Sequence, residues 1–167
     1  ERSYDLGVRS FQLSLPNWGE CTMNEIQRFF TETCGRFKDC SFLHYNCPRS
    51  KRMITPDEYG LLAEEFQNLV ATKNGAGSSV QMIALVRKAP QVRHFLTEFN
   101  FASGCLLGLD VGFLISIASI RWKTAQLFYQ SCLDRKELVS YKHLRAHETV
   151  LDLVCRLLLE KKKRKER

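Results

Sequence analysis

No apolar run in this sequence is long enough to cross a bilayer. The best candidate, residues 105–118, is interrupted by Asp110 and falls short of the roughly 20 residues a membrane helix needs. Glycine and proline are scarce, nine and four in 167 residues, which excludes collagen-like and low-complexity chains. A hydrophobic share of 44% excludes wholesale disorder. The chain opens Glu1-Arg2-Ser3 without a methionine or a signal-like stretch, so we expect an excised piece of a longer protein. Excess charge is also scarce over most of the length. Of the net +7, +4 falls in the last eight residues, where Glu160 to Arg167 hold six basic residues and two acidic ones. Such a tail is either a solvated helix end or a localisation and phosphate-binding segment.

Cysteine, by contrast, is abundant. Seven cysteines cannot all pair internally, and with no secretory features they point to a reducing compartment, hence a cytoplasmic protein, or a nuclear one if the tail acts as an address. Cys105, Cys132 and Cys155 sit singly among apolar neighbours and are expected in the core. Cys21, Cys34, Cys40 and Cys47 crowd with His44 into the first third.

Periodicity predicts a mainly α chain with a short N-terminal strand. Phe11, Leu13 and Leu15 alternate as a strand does, up to the break at Pro16. Thr22 and Glu25 form a capping box before Ile26, Phe29 and Phe30, which predicts a helix over about 22–34. Residues 36–54 show no period and read as an irregular loop. Thr55-Pro56-Asp57-Glu58 starts the clearest helix, whose apolar stripe runs through Tyr59, Leu62, Ala63, Phe66, Leu69 and Val70. Residues 73–79 read as a loop, followed by a serine-capped helix with Val80, Ile83, Leu85 and Val86. After Pro90 comes a short segment with Val92, Phe95, Leu96 and Phe99, and His94 beside Arg93 on an amphipathic turn. The apolar stretch 110–120 reads as helix, continuing into Trp122–Cys132, and a last helix carries Leu144 to Leu158. The expected architecture is an irregular stack of helical hairpins with a Cys/His-bearing loop. Its regions are 1–54 (strand, helix and Cys/His loop), 55–160 (helical domain) and 161–167 (basic tail).

Cys34, Cys40 and His44 have the spacing C-x5-C-x3-H, with Gly35 after the first cysteine and aromatic residues at Phe37, Phe42 and Tyr45. This resembles the second half of a CCCH-type zinc finger. The resemblance implies a tetrahedral zinc site, with Cys21 or alternatively Cys47 as fourth ligand. The interval from Cys21 to Cys34 is longer than that family uses. It also implies single-stranded RNA as partner: bases stacked on Phe37, Phe42 or Tyr45, and phosphates held by Arg36, Lys38, Arg49, Lys51 and Arg52. In overall texture, a divergent finger followed by helices is similar to the carboxy-terminal region of the testis- and ovary-specific PAZ-domain-containing protein family. That likeness implies a ribonucleoprotein role in spermatogenesis and no catalytic residue.

The expectation is therefore a non-catalytic RNA-binding or ribonucleoprotein interaction domain. One alternative is a protein–protein helical scaffold without metal or RNA. Another is a remnant of a cysteine-dependent enzyme with a racemase-like fold, set aside because such enzymes mount their thiols on loops of a parallel sheet, and the sequence offers at most one or two strands. The stretch Asn74–Ser79 lacks the lysine of a phosphate loop.

Overall fold

A computed structural model describes residues 1–134 apart from Ala76, and in them strands and helices alternate where a helical stack was expected. The order is α1 (Arg2–Asp5), β1 (Ser10–Leu13), α2 (Met23–Phe30), β2 (Ser41–Asn46), α3 (Pro56–Glu65), β3 (Leu69–Asn74), α4 (Ser79–Lys88), β4 (Arg93–Leu96), α5 (Glu98–Leu106) and β5 (Gly112–Phe113). The strands lie side by side in chain order, β1-β2-β3-β4-β5, and every neighbouring pair is parallel. A doubly wound sheet reverses its strand order at a switch point. This one does not reverse, which is the progression of a β/α barrel. The mainly α expectation is thus corrected to α/β, with five parallel strands.

Each misread segment has a local cause. The stripe ending in Leu69 and Val70 keeps helical spacing, but the helix stops at Phe66, which leaves helical geometry with φ −114° and ψ 83°. The Asn68 amide then donates to the carbonyls of Cys34 and Phe37, 3.0 Å each, and pins the start of β3 to the end of the α2 segment. In β2 the buried residues alternate correctly, but they are Phe42, His44 and Asn46, two of them polar, so no apolar period shows. Val92 to Phe99 straddles β4 and the start of α5. The run 110–120 contains the two-residue strand β5 and a 3-10 turn at Ile117–Ser119 rather than a long helix.

Of the strand predicted through Phe11, Leu13 and Leu15, the first two lie in β1 and Leu15 falls beyond its end, and three helix starts stand at capping residues. Thr22 with Glu25, Thr55 with Glu58 and Ser78 with Gln81 each form the reciprocal capping box. The α2 segment runs on through a π turn, Thr31–Gly35. Beneath these helices Ile26, Phe30, Tyr59 and Leu62 are fully buried, packed with Phe42 and Leu69 of the sheet. Phe30 meets Phe66 and the edge of His44. Burying each such side chain contributes about 2 kcal/mol.

One compact unit spans Glu1–Ile115, and a second begins at Ser116. The second contains α6 (Trp122–Leu133), as its helical spacing predicts, with Ala125, Phe128 and Cys132 buried. No helix among the described residues is long and apolar enough to cross a membrane. The predicted last helix, Cys155 and the basic tail lie outside the described residues.

Candidate active site at the carboxyl edge of the sheet

Alternation divides β2, β3 and β4 into two faces. His44, Asn46, Thr72, Asn74, His94 and Leu96 are buried on the face that packs against the helices. Tyr45, Lys73 and Phe95 point the other way and are half-buried. In a closed β/α barrel the corresponding face lines the interior, and its carboxyl end is where such barrels carry their chemistry. Tyr45 and Lys73 are the last residues but one of their strands and are direct register partners. Lys73 is in turn paired with Phe95.

The Lys73 ammonium nitrogen lies 4.6 Å from the centre of the Tyr45 ring, over its face. The Tyr45 hydroxyl lies near the turn after β3. A Cβ at Gly75 would sit 3.8 Å from that oxygen and 4.0 Å from the Thr97 methyl, so the phenol tip and Thr97 both lie close to Gly75. On the other side of Lys73, the Phe95 ring covers Gly112, where a Cβ would come within 2.5 Å of the ring. The result is one primary amine over the face of a phenol, on a sheet face it shares with Phe95. An amine so placed can add to a carbonyl, and a phenol beside it can give or take a proton.

Behind this pair the helix-facing side chains are hydrogen-bonded to one another. Asn46 donates to the Ile54 carbonyl (2.9 Å), accepts from the Ile54 amide (3.0 Å) and donates to Asn74 Oδ1 (3.2 Å). Asn74 donates to Thr72 Oγ1 (2.8 Å), which lies 2.8 Å from His94 Nδ1, and His94 Nε2 lies 2.9 Å from the Ala89 carbonyl. A cavity of about 180 Å³ adjoins the two asparagines, walled by Ile54, Met82, Leu85 and Leu96 among others.

The residues expected to ligate zinc are dispersed by the fold. Cys34 and Cys40 are buried in the apolar core, and burial pushes the Cys34 thiol up to about 11. Cys21 is half-buried, and Cys47 lies 3.8 Å from the Ser50 hydroxyl. His44 turns Nδ1 to the Tyr59 hydroxyl at 2.6 Å. Burial lowers its imidazole to about 4 and raises Tyr59 well above the ordinary phenol range. Among the described residues no group of three or more His, Cys, Asp or Glu is placed to hold a metal ion. The finger is therefore withdrawn: C-x5-C-x3-H falls across the end of α2 and the start of β2, not on a compact loop.

The residues assigned to RNA separate likewise. Phe42 is buried and stacks on Phe11. Phe37 packs on Tyr4, with the Arg36 guanidinium over it and paired to Glu1. Arg52 donates to the Cys21 carbonyl and pairs with Glu58. Lys38 is exposed, as are Arg49 and Lys51 at the turn after β2, where Lys51 has φ +63°. Tyr45 alone of that set lies beside a chemically active partner. That partner, Lys73, was passed over because it fell in the stretch read as a loop. The usable signal was Leu69-Val-Ala-Thr, a short apolar and β-branched run ending at a glycine turn.

No protein-family model and no curated protein matches this sequence. Solved structures do match its fold. N-acetylneuraminate lyase from Mycoplasma synoviae is similar with a TM-score of 0.73 and 21% identity, covering 92% of this chain and 52% of that one. PhdJ bound to a substrate intermediate is similar with a TM-score of 0.77 and 16% identity, over 90% and 48%. The dihydrodipicolinate synthase of Acinetobacter baumannii complexed with pyruvate is similar with a TM-score of 0.68 and 20% identity, over 84% and 48%. This chain thus spans about half the length of the structures it matches. The shared feature is the α/β barrel-type fold, neither a zinc finger nor a relative of the PAZ-domain family. The expectation of a non-catalytic RNA-binding or scaffold domain in spermatogenesis falls with the helical architecture that carried it, in favour of the fold shared with the lyase and synthase structures named above.

Proposed function

We propose that this chain carries the reacting lysine of a Schiff-base lyase or aldolase acting on a 2-oxo acid, with Lys73 as nucleophile and Tyr45 as proton-transfer group. The observation that carries this reading is the placement of one amine against one phenol at the carboxyl edge of a parallel β/α sheet. The fold-level likeness to a lyase and to a synthase complexed with pyruvate supports it, as analogy and not as proof of activity.

In this chemistry the Lys73 nitrogen adds to the C2 carbonyl carbon of the 2-oxo acid. The carbonyl oxygen takes up protons and departs as water, leaving a protonated imine. That imine withdraws electrons from C3, so a proton or a carbon fragment leaves C3 and an enamine forms. Tyr45 is positioned to give the proton that the departing oxygen needs and to recover one later. The ring face of Tyr45 covers one side of the nitrogen.

The test is reductive trapping. Incubation of the full chain with pyruvate and borohydride should convert the imine to a stable secondary amine, detected as a single added mass and mapped by peptide sequencing to Lys73. Trapping spread over surface lysines, or none at all, would refute the assignment.

A further inference from the structure

Resting on that reading, we propose that the buried hydrogen-bonded series Asn46–Asn74–Thr72–His94 is the positioning device of the site. It locks β2, β3 and β4 in the one register that turns Lys73 toward Tyr45.

The need for a lock follows from the pairing of β2 with β3. Phe42 is opposite Leu69, but Leu43 is opposite Ala71, so one residue, Val70, is skipped at an irregularity. Because side chains alternate, a slip of one residue exchanges the two faces of a strand. Had the first pairing continued unbroken, Ala71 and Lys73 would have joined the face packed against the helices, burying an ammonium group there. The skipped residue puts Lys73 on the other face, and something beyond it must hold the new register over only four residue pairs.

The polar series supplies that hold, and its members coincide with the pairs flanking Lys73. Asn46 and Asn74 are register partners, as are Thr72 and His94. The side chains of both pairs are bonded to each other, at 3.2 Å and 2.8 Å. The bond from Asn74 to Thr72 links the two pairs directly behind Lys73.

The direction of every bond is determined by backbone groups at the two ends. The Ile54 amide and carbonyl admit one orientation of the Asn46 amide. Asn46 then presents N–H to Asn74 Oδ1, which turns the Asn74 amide group to Thr72. Thr72 must therefore accept from Asn74 and donate to His94 Nδ1, leaving the His94 Nε2 proton for the Ala89 carbonyl. Four polar side chains, each 6% exposed or less, occupy a face where apolar ones would fill space without this constraint. A fully satisfied network of this kind favours a single geometry.

The experiment compares the parent with Thr72→Val, Thr72→Ser and Asn74→Leu, using pyruvate and borohydride as the probe. Thr72→Val removes the hydroxyl at nearly constant volume, and the leucine at position 74 has the adjoining cavity to enter. Rate of adduct formation on Lys73, its pH profile and far-ultraviolet circular dichroism are read together. We expect native dichroism in all three, trapping slowed roughly ten- to a hundredfold with a displaced pH profile in the valine and leucine variants, and recovery of most of the rate with serine. Parent-like rate and pH profile in both the valine and leucine variants would overturn the proposal. So would a serine variant as slow as the valine one, or collapse of the dichroism in the valine and leucine variants, which would make the series a requirement for folding instead. A parent that gives no adduct overturns the Schiff-base reading and this one together, whereas an adduct in the parent with unaffected variants overturns this one alone.

Discussion

Lys73 rests on the face of the Tyr45 ring, 4.6 Å from its centre, while the phenol oxygen lies beside Gly75 in the turn after β3. In the proposed reaction, ring and hydroxyl then have separable roles, the ring supporting the amine and the hydroxyl handling the proton. Tyr45→Phe keeps the first and removes the second. Its adduct should still map to Lys73 but accumulate about 100- to 10,000-fold more slowly, the usual contribution of a positioned acid or base. Time-resolved mass spectrometry of the trapped chain measures this directly. Equal rates in parent and variant would remove Tyr45 from the proton transfer.

Gly112 admits no side chain while Phe95 stays in place, because a Cβ there would lie 2.5 Å from one ring carbon and 2.6 Å from another. Aromatic rings do not yield as the end of a flexible chain does. Gly112→Ala should therefore push Phe95 toward Lys73, its partner across the sheet, at a cost of about 1–3 kcal/mol. Urea unfolding reports the stability and pyruvate trapping the site. Loss in the first without loss in the second would mean that the ring moves away from the amine instead.

The helix starts were legible because a capping box is local: Thr22, Thr55 and Ser78 need only a partner three residues on. The strands were hidden by burial on both faces or by polar residues at buried positions. Leu69 and Val70 continue the α3 stripe in perfect phase, and only the tertiary anchoring of Asn68 shows why the chain turns there. In β2 and β4 the buried positions hold His44, Asn46 and His94, polar side chains that break the apolar alternation, and His44 was read as a zinc ligand before its contact with Tyr59 was seen. Tyr45 was singled out as an aromatic base-stacker and Lys73 as the start of a loop. Nothing within either segment reveals that they face each other, because that relationship exists only across a parallel pairing 28 residues apart in sequence.

Cys34 offers a test of whether the clustered cysteines serve metal or core. It is 1% exposed among Phe30, Phe66 and other apolar side chains, so it acts as a small hydrophobe. Cys34→Ala should then cost little beyond the lost sulfur contacts. Cys34→Ser, which puts a hydroxyl in the same apolar setting, should cost about 1–3 kcal/mol. A chelator should leave the thermal midpoint of the parent unchanged. A midpoint that drops with chelator and recovers with zinc would reinstate a metal site.

His44 makes the molecule acid-sensitive in a defined window. Its imidazole is buried against Tyr59 and Phe30, its Nε2 has no hydrogen-bond partner among the described residues, and burial lowers its pKa from about 6.5 to about 4. The folded state therefore resists the proton that the unfolded chain accepts. Stability from this group is complete above about pH 6.5, falls as the pH drops toward about 4, and levels off below, a loss of roughly 3 kcal/mol. His94, buried beside Thr72, is lowered for the same reason and adds in the same direction. Urea unfolding at a series of pH values should show the midpoint declining through this window, with a shallower decline in His44→Asn and a residual slope belonging to His94. An identical decline in parent and variant would show that the buried imidazole at position 44 is not what the acid attacks.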